Sequence, residues 1–368
     1  MDSHLDVSSD GALVVVAHNT TFQVLDAATR EVLFSSVAGV PTKQGAAQDA
    51  PQGHSAPIRV IAFSPCGTLL VTSGDDKLLC VWERQGNEWT IKCHRRIDKK
   101  AACVTWLADS SGVVVGDKFG DVQTVLLEDV ARLRRVFGHL SVVTDVCFVG
   151  DKLVTCDRDE KVRVSRYPRT FVASRYLMQH EEFVAALLPL SDSVVVSVGG
   201  DAQLCLWNVA DGTLLHCHAL ELDGTRVMPV RAAVDKETGR VAVLTSTGKV
   251  LCVHIQHDSK SGQYAVQPIA LDVSVAVSGL RFHPKTHELL VVSASPRLSA
   301  YDVSQNKLAW TCDDEALKQN VDDGIQVFWK HYPHAVDLPQ RKASQARRDR
   351  KRLKGESGDS ASTGTSTE

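Results

Sequence analysis

The chain has 368 residues, a formal net charge of −3, 43% hydrophobic residues and ten cysteines. Such a nearly neutral chain does not bind nucleic acid with its whole surface, so any RNA contact is expected to be local. The first residues include Asp2, Asp6 and Asp10 and lack the apolar core of a signal peptide. No run approaches the roughly 18 apolar residues of a membrane span. The cysteines stand singly, without zinc spacing, and are interpreted as reduced. These features predict a location in the nucleus and, in addition, in the cytoplasm.

A short strand-like segment recurs along most of the chain. Seven segments follow the pattern of Leu79-Cys80-Val81-Trp82, and their last residues stand at positions 25, 82, 125, 165, 207, 254 and 301. The intervals are 57, 43, 40, 42, 47 and 47 residues. A period of about 40–45 residues, built from short β runs and turn residues, is typical of WD-repeat propellers with four strands in each blade. The sequence therefore predicts an all-β fold: a seven-bladed WD-repeat β-propeller over residues 1–312, with a C-terminal helical and basic extension.

Three blades carry a histidine about twenty residues before an aspartate. The pairs are His54 with Asp76, His139 with Asp159, and His180 with Asp201. In WD repeats this pairing is a structural hydrogen bond, and its companions here are predicted to be Ser73 with Trp82 and Ser197 with Trp207. These residues are therefore interpreted as stabilising the fold, not as catalytic groups.

The long first interval contains a segment rich in Gly, Ala, Gln and Pro, so residues 39–56 are predicted to form a flexible surface loop. Residues 313–354 are predicted to form a helix and a basic arm, and residues 355–368 a disordered tail rich in Ser, Thr and Gly. The helix is indicated by an apolar stripe with steps of three and four residues, ending before Pro333. That stripe consists of Leu317, Val321, Ile325, Phe328 and Tyr332.

The basic arm, residues 341–354, holds eight basic residues and one acidic residue. Two interpretations stay open for it. One is a nuclear localisation signal or a solvated tail. The other is contact with RNA phosphates, for which the candidate residues are Arg347, Arg348, Arg350, Lys351 and Arg352.

Sequence motifs of an active site are missing. No Gly-x-Gly occurs anywhere in the chain, so the dinucleotide fingerprint and the related glycine-rich loop of cofactor-binding methyltransferases are not present. Walker-type loops, Gly-x-Ser-x-Gly elbows and His-Glu-x-x-His are also lacking. We therefore predict no catalytic residue, no cofactor site and no metal site. A propeller without such motifs is usually a platform for other molecules.

One segment departs from its sister segments. Residues 157–165 (DRDEKVRVS) place charges and a serine where the other blades carry apolar or small residues. A buried arginine is costly without a paired carboxylate, so Arg163 should be either paired inside the fold or displayed at a rim. The first alternative is an ion pair with Asp157, Asp159 or Glu160. The second is a partner-binding surface made of Arg158, Asp159, Glu160, Lys161 and Arg163.

Four blocks in the middle of the chain carry a family resemblance. They are Asp117–Val122 (DKFGDV), Gly138–Ser141 (GHLS), Val154–Ser165 (VTCDRDEKVRVS) and His180–Val184 (HEEFV). In order and spacing they resemble the WD-repeat non-catalytic subunit of the eukaryotic tRNA guanine-7-methyltransferase. The resemblance covers the propeller, most strongly residues 115–207, and more loosely the basic extension.

This resemblance implies a heterodimer and a role without catalysis for the present chain. A separate Rossmann-type subunit would bind S-adenosylmethionine and methylate a guanine in the variable loop of tRNA. The propeller would dock beside that subunit, stabilise it and help to hold the tRNA, with Asp159, Glu160, Lys161 and Arg163 on the segment that faces the enzyme. The alternative is a general interaction scaffold, such as a substrate receptor of a ubiquitin ligase or a chromatin-associated adaptor. Such adaptors need neither a charged rim on blade 4 nor contact with RNA.

Overall fold

The computed structural model describes residues 4–39, 52–293 and 298–312. Within these ranges the chain forms seven four-stranded antiparallel sheets and one two-stranded sheet, and its only helical turn is a 3-10 turn at Leu127–Asp129. The strands of each four-stranded sheet pair in sequence order, so every blade is a simple meander. The predicted seven-bladed β-propeller is confirmed.

The strands are numbered in chain order, four to a blade. Blade 1 consists of β1 (His4–Val7), β2 (Leu13–His18), β3 (Thr21–Asp26) and β4 (Val32–Ser35). Blade 2 consists of β5 (Ile58–Phe63), β6 (Leu69–Gly74), β7 (Leu78–Gln85) and β8 (Glu88–Arg96). Blade 3 consists of β9 (Ala101–Trp106), β10 (Gly112–Asp117), β11 (Asp121–Leu126) and β12 (Leu133–Gly138). Blades 4 and 5 consist of β13 (Val143–Val149), β14 (Lys152–Asp157), β15 (Val162–Arg166), β16 (Ala173–Leu177); and β17 (Val184–Pro189), β18 (Val194–Gly199), β19 (Gln203–Asn208), β20 (Leu214–Ala219). The two-stranded sheet has β21 (Glu221–Leu222) and β22 (Thr225–Arg226). Blades 6 and 7 consist of β23 (Pro229–Asp235), β24 (Arg240–Thr245), β25 (Val250–Asp258), β26 (Gln263–Ile269); and β27 (Val277–Phe282), β28 (Leu289–Ser293), β29 (Leu298–Asp302), β30 (Lys307–Cys312).

The recurring four-residue segments of the sequence all fall on the third strand of a blade: β3, β7, β11, β15, β19, β25 and β29. These four-residue segments and the second strands are mostly buried, because each sheet packs both of its faces against neighbouring blades. Val154 and Val164 of blade 4, for example, share one apolar cluster with Val195 and Cys205 of blade 5. Full burial of a valine or leucine side chain stabilises a fold by about 1.5–3 kcal/mol. The apolar seams between blades therefore hold the ring together.

The first strand of each blade lies innermost and contacts the first strands of both neighbouring blades, from β1 against β5 around to β27 against β1. The first and the last blade are nevertheless separate sheets, each complete with its own four strands. Their seam is closed by side chains. Arg281 Nε lies 3.0 Å from Asp6 Oδ1, and His283 Nε2 lies 2.9 Å from the carbonyl oxygen of Gly11.

Several predicted segments fall outside the described residues. They are residues 40–51 of the predicted surface loop, the predicted helix and basic arm within 313–354, and the predicted tail at 355–368. The boundaries assigned to them stay predictions.

Candidate partner-binding face

The histidine pairs of blades 2 and 5 form the predicted structural network. His54 Nδ1 lies 3.1 Å from Asp76 Oδ2, and His180 Nδ1 lies 3.1 Å from Asp201 Oδ1. A carboxylate only accepts, so Nδ1 carries the proton and Nε2 accepts a hydrogen bond from a hydroxyl group. In blade 5 this hydroxyl is Ser197 Oγ, at 2.7 Å, and it also accepts the indole N–H of Trp207 at 2.9 Å. The chain of hydrogen bonds thus joins four side chains across one blade.

Two residues that the sequence assigned to these networks are not their members: Ser73 in blade 2 and Asp159 in blade 4. In blade 2 the hydroxyl that bonds to His54 and accepts the indole N–H of Trp82 is that of Thr72, at 2.8 Å in both cases, and not that of Ser73. In blade 4, His139 Nδ1 pairs with Asp157 Oδ2 at 2.9 Å, and not with Asp159. Asp159 instead accepts the hydroxyl of Ser141 at 2.8 Å.

The exchange in blade 4 has a steric cause. Asp157 occupies the position of Gly74 in blade 2 and Gly199 in blade 5, because each ends the second strand opposite the start of the first. A Cβ atom at Gly199 would lie 2.5 Å from Asp201 Oδ1. A side chain at this position therefore competes for space with the aspartate two residues later. In blade 4 the side chain of Asp157 forms the hydrogen bond to His139 in place of Asp159. Asp157 also accepts the amides of Asp159 and Lys161, at 2.9 and 3.1 Å.

The three aspartates of these networks are ionised at neutral pH. Burial alone would raise their pKa values, but hydrogen bonds from the paired histidines and from backbone amides outweigh it, so the pKa of Asp76, Asp157 and Asp201 lies below its ordinary value. Asp145 behaves in the opposite way, because burial raises its pKa to about 6 against the amide hydrogen bonds from Leu187 and Val146.

These shifts predict a two-phase dependence of stability on pH. The folded protein holds the Asp145 proton more tightly than the unfolded chain does, so stability should rise as the pH falls from 7 towards 5. The lowered pKa values of the other three aspartates contribute stability that is present above the ordinary pKa of about 4 and is lost as the pH falls through their folded values. Urea unfolding between pH 7 and pH 3 measures both phases. Asp145→Asn should reduce the rise and keep the acid loss; a rise as large as that of the unsubstituted chain would contradict the assignment.

Arg163 is buried, with 7% of its surface exposed, so the predicted display of this side chain at a rim is wrong. The alternative ion pair is also wrong, because the salt bridges found among the described residues include none that involves Arg163. Its Nε donates to Ser165 Oγ at 3.0 Å, and its Nη2 donates to the carbonyl of Thr170 at 2.8 Å. Its guanidinium carbon lies 3.9 Å from the ring centre of Phe137 in blade 3.

The place of Arg163 follows from one missing tryptophan. In blades 2 and 5 the third strand carries Trp82 and Trp207, whereas blade 4 has Ser165 at the corresponding position. The guanidinium of Arg163 bonds to Ser165 at that position and uses neutral acceptors and an aromatic face, which satisfy a cation without a carboxylate. Burial lowers the pKa of Arg163, and the Tyr176 hydroxyl partly offsets this effect. Arg163 is therefore a structural link between blades 3 and 4.

The rest of the charged segment is a turn between β14 and β15 at the surface. Arg158, Asp159 and Glu160 are exposed, and Lys161 is half-buried. Arg158 Nε lies 3.7 Å from Asp159 Oδ1, an exposed pair that contributes little to stability. The pKa of Glu160 is raised, first by burial and then by the neighbouring charge of Glu182. This turn therefore presents charges of both signs, and Glu160 lies close to other carboxylates.

Three large apolar side chains are exposed next to this turn. Leu140 is 96% exposed, Phe119 is 68% exposed and Met178 is 59% exposed. Lys99 Nζ lies 4.2 Å from the ring centre of Phe119. Exposed apolar side chains grouped beside polar ones mark interaction sites more often than single ones do.

Contacts between neighbouring turns make these residues one surface. The amide of His139 donates to the carbonyl of Gly120 at 2.8 Å, which joins the turn of Phe119 to the segment of Leu140. The amide of Arg158 donates to the carbonyl of Val142 at 3.0 Å, which joins that segment to the charged turn. Leu177, the neighbour of Met178, pairs with Val162 just after Lys161. We call this surface the docking face and define it by its members: Phe119, Leu140, Arg158, Asp159, Glu160, Lys161 and Met178.

The sequence predicted the charged half of the docking face and missed its apolar half. The available signal was a bulky apolar residue inside a turn, as in Asp117-Lys118-Phe119-Gly120 and Gly138-His139-Leu140-Ser141. Among the residues that the structure describes, no group of His, Cys, Asp and Glu is arranged to hold a metal ion. The same part of the chain contains no helix that is long and apolar enough to cross a membrane.

The sequence of residues 129–321 matches the family described as the tRNA methyltransferase TRM82 WD40 domain, over just more than half of the chain. The chain belongs to this family. Residues 48–83 also match the general WD domain, G-beta repeat. The match covers blades 4 to 7 entirely, including the charged turn and three of the four sequence blocks, and it confirms the family resemblance.

The curated relatives that the chain resembles are named as non-catalytic subunits of a tRNA methyltransferase. The chain is 35% identical over 209 residues to the tRNA (guanine-N(7)-)-methyltransferase non-catalytic subunit wuho of Drosophila erecta, which covers 55% of this chain and 50% of that protein. It is 30% identical over 267 residues to the non-catalytic subunit TRM82 of Meyerozyma guilliermondii, covering 65% of this chain and 63% of that protein. The chain spans about half the length of the Drosophila relatives that it matches.

Solved structures agree on the fold. The chain is similar to U3-55K with a TM-score of 0.63 and 17% identity, covering 79% of this chain and 87% of that one. It is similar to the RRP9 WD40 repeats with a TM-score of 0.64 and 16% identity, covering 79% and 86%. At this identity the likeness extends to the propeller fold alone.

Proposed function

We propose that this chain is the non-catalytic subunit of a heterodimeric tRNA guanine-7-methyltransferase. The observation that carries the proposal is the family match across blades 4 to 7, which contains every member of the docking face except Phe119. The catalytic partner is proposed to bind S-adenosylmethionine and to form 7-methylguanosine in the variable loop of tRNA. This chain stabilises and orients that partner. Its proposed location is the nucleus and, in addition, the cytoplasm.

The docking face has the composition of an interface. Leu140, Phe119 and Met178 supply apolar area that a partner can cover, and the charged turn supplies orientation, because charges around an apolar centre select a partner by complementarity. Glu160, crowded by Glu182, is matched by a basic group of the partner, which removes the like-charge repulsion. Lys161 is matched by an acidic group. The predicted interface residues Arg158, Asp159, Glu160 and Lys161 thus stay in the proposal, whereas Arg163 supports them from inside.

Activation follows from preferential binding. The free catalytic subunit is proposed to populate several conformations, one of which is catalytically active. If the propeller binds the active conformation more tightly, binding shifts the conformational equilibrium towards it. The free energy of this shift cannot exceed the difference in binding free energy between the conformations. A rigid ring of seven blades suits this role, because it does not deform to fit the other conformations.

Contact of tRNA with the basic arm remains part of the proposal. Deletion of residues 341–354 should then weaken tRNA binding and flatten its salt dependence.

The test is methyl transfer to bulk tRNA by the candidate catalytic subunit, with and without this chain, scored as 7-methylguanosine. We expect this chain to raise the rate at least about tenfold, equivalent to roughly 1.4 kcal/mol in the activation barrier. A rate that does not depend on this chain would overturn the proposal and favour the general scaffold.

Leu140→Asp should weaken binding to the catalytic subunit by about 2 kcal/mol or more, as expected for an apolar residue at the centre of an interface. Because Leu140 is 96% exposed, the substitution should leave the propeller folded. Isothermal titration measures the affinity, and Leu308→Asp is the matched control, since Leu308 is an exposed leucine on blade 7. Equal affinities for the two variants would exclude Leu140 from the interface.

A further inference from the structure

Blade 5 contains two cysteines placed directly opposite each other. Cys205 of β19 pairs in register with Cys217 of β20, and their sulfur atoms are 3.0 Å apart. Directly opposed residues of antiparallel strands have Cα atoms about 4.5–5.5 Å apart and side chains on the same face of the sheet. A disulfide spans Cα separations of about 4.4–6.8 Å. The backbone therefore already has the spacing that a disulfide bond needs.

The two thiols differ in access. Cys205 is fully buried in the apolar cluster between blades 4 and 5, beside Val162 and Val195, whereas Cys217 lies half-buried at the edge of that cluster. The thiol of Cys217 donates to Gln203 Oε1 at 2.9 Å, so the hydrogen bond between the two sulfurs is donated by Cys205. This hydrogen bond lowers the pKa of Cys217, and it raises the pKa of Cys205 together with burial.

We propose that Cys205 and Cys217 form a modification site that a small-molecule disulfide, such as oxidised glutathione, converts to a disulfide bond. The Cys217 thiolate attacks one sulfur of the oxidant, forms a mixed disulfide and releases one small thiolate. The Cys205 thiol then attacks the sulfur of Cys217 and expels the second small thiolate, which takes up the Cys205 proton. Two protein thiols are oxidised, and one small disulfide is reduced to two thiols.

The repeat supplies a matched comparison within the same chain. Cys80 of blade 2 occupies the strand position of Cys205, and Cys93 lies on the next strand, but Cys80 is opposite His94, and Cys93 is opposite Val81. Neighbouring positions on a strand point to opposite faces of the sheet. Cys80 and Cys93 therefore stay reduced under conditions that oxidise the pair in blade 5.

The new bond would tie the outermost strand of blade 5 to its neighbour. β20 is an edge strand, with mostly half-buried or exposed side chains. Edge strands open locally more readily than buried ones do. Oxidation should therefore slow amide hydrogen exchange in β20 and leave β8, the edge strand of blade 2, unchanged.

The experiment uses the folded full-length chain, treated with an excess of oxidised glutathione, then denatured, alkylated and digested with a protease that cleaves before aspartate. Asp211 lies between the two cysteines, so the fragments 201–210 and 211–222 separate unless the disulfide joins them. We expect the joined fragments to accumulate and to separate on reduction, while Cys80 and Cys93 are recovered alkylated. Recovery of Cys205 and Cys217 as alkylated thiols, or joining of Cys80 to Cys93 to the same extent, would overturn the proposal.

Two variants test the order of the steps. Cys205→Ala should trap glutathione on Cys217, because the resolving thiol is missing, whereas Cys217→Ser should carry no adduct on the buried Cys205. If the wild-type chain holds as much glutathione on Cys217 as Cys205→Ala does, Cys205 does not resolve the mixed disulfide and the proposal fails. The Cys217→Ser result serves on its own if Cys205→Ala does not fold.

Discussion

Replacement of Arg163 by alanine should lower the free energy of unfolding by about 4 kcal/mol, a large part of the 5–15 kcal/mol typical of a folded domain. The substitution leaves the buried Ser165 hydroxyl and the Thr170 carbonyl without their donor, at about 1–3 kcal/mol each. It also removes the cation from the face of Phe137, a contact worth about 2 kcal/mol when it is shielded from water. Urea unfolding, followed by tryptophan fluorescence, measures the change.

The controls come from the same hairpin. Arg158→Ala removes an exposed arginine five residues earlier and should change the stability by about 0.5 kcal/mol or less. Arg163→Lys keeps the charge but loses the fork of donors that reaches two acceptors, so an intermediate loss is expected. If Arg163→Ala and Arg158→Ala unfold at the same urea concentration, the guanidinium has no structural role. Charge reversal at Arg163 is for the same reason unsuited to testing the docking face, because it would unfold blade 4.

Asp157→Ala should cost about 3 kcal/mol of unfolding free energy, the expected loss when a buried hydrogen-bonded carboxylate is removed. His139 Nδ1 and two backbone amides of the turn lose their acceptor together. The comparison is Asp159→Ala, which breaks one partly exposed hydrogen bond to Ser141 and should cost about 1 kcal/mol or less. A larger loss for Asp159 than for Asp157 would mean that the histidine pairs as the repeat pattern alone predicted. Both variants are measured at pH 7, where the pKa of Asp157 keeps the carboxylate ionised.

The seven blades could be predicted from the sequence because every blade repeats one buried third strand at a regular interval. The network of blade 5 could be predicted for the same reason, since Gly199 leaves room for Asp201. The network of blade 4 could not, because Asp157 replaces that glycine and takes the histidine. The spacing between a histidine and an aspartate does not show which of two nearby carboxylates, Asp157 or Asp159, bonds to the ring nitrogen of His139.

The candidate site was predictable only in part for a different reason. The turn of Arg158 to Lys161 differs from its sister turns in charge, and that difference can be read from one segment. The burial of Arg163 depends on Phe137 and Thr170, which lie outside the hairpin, and on the loss of a tryptophan at Ser165. The exposure of Leu140 depends on turns that a strand pattern does not describe. Contacts between blades, not spacing along the chain, decide both.

The separate sheets of blades 1 and 7 also bear on how the protein is made. A propeller that shares one strand between its first and last blades cannot complete either blade until the whole chain is available. Here β1 to β4 form a full sheet from residues 4–35, so the strands of the first blade can pair while the later blades are still being synthesised. The apolar faces of that sheet are covered only when blades 2 and 7 pack against it. The last step of assembly is then the docking of two finished sheets, in which Arg281 meets Asp6 and His283 meets Gly11.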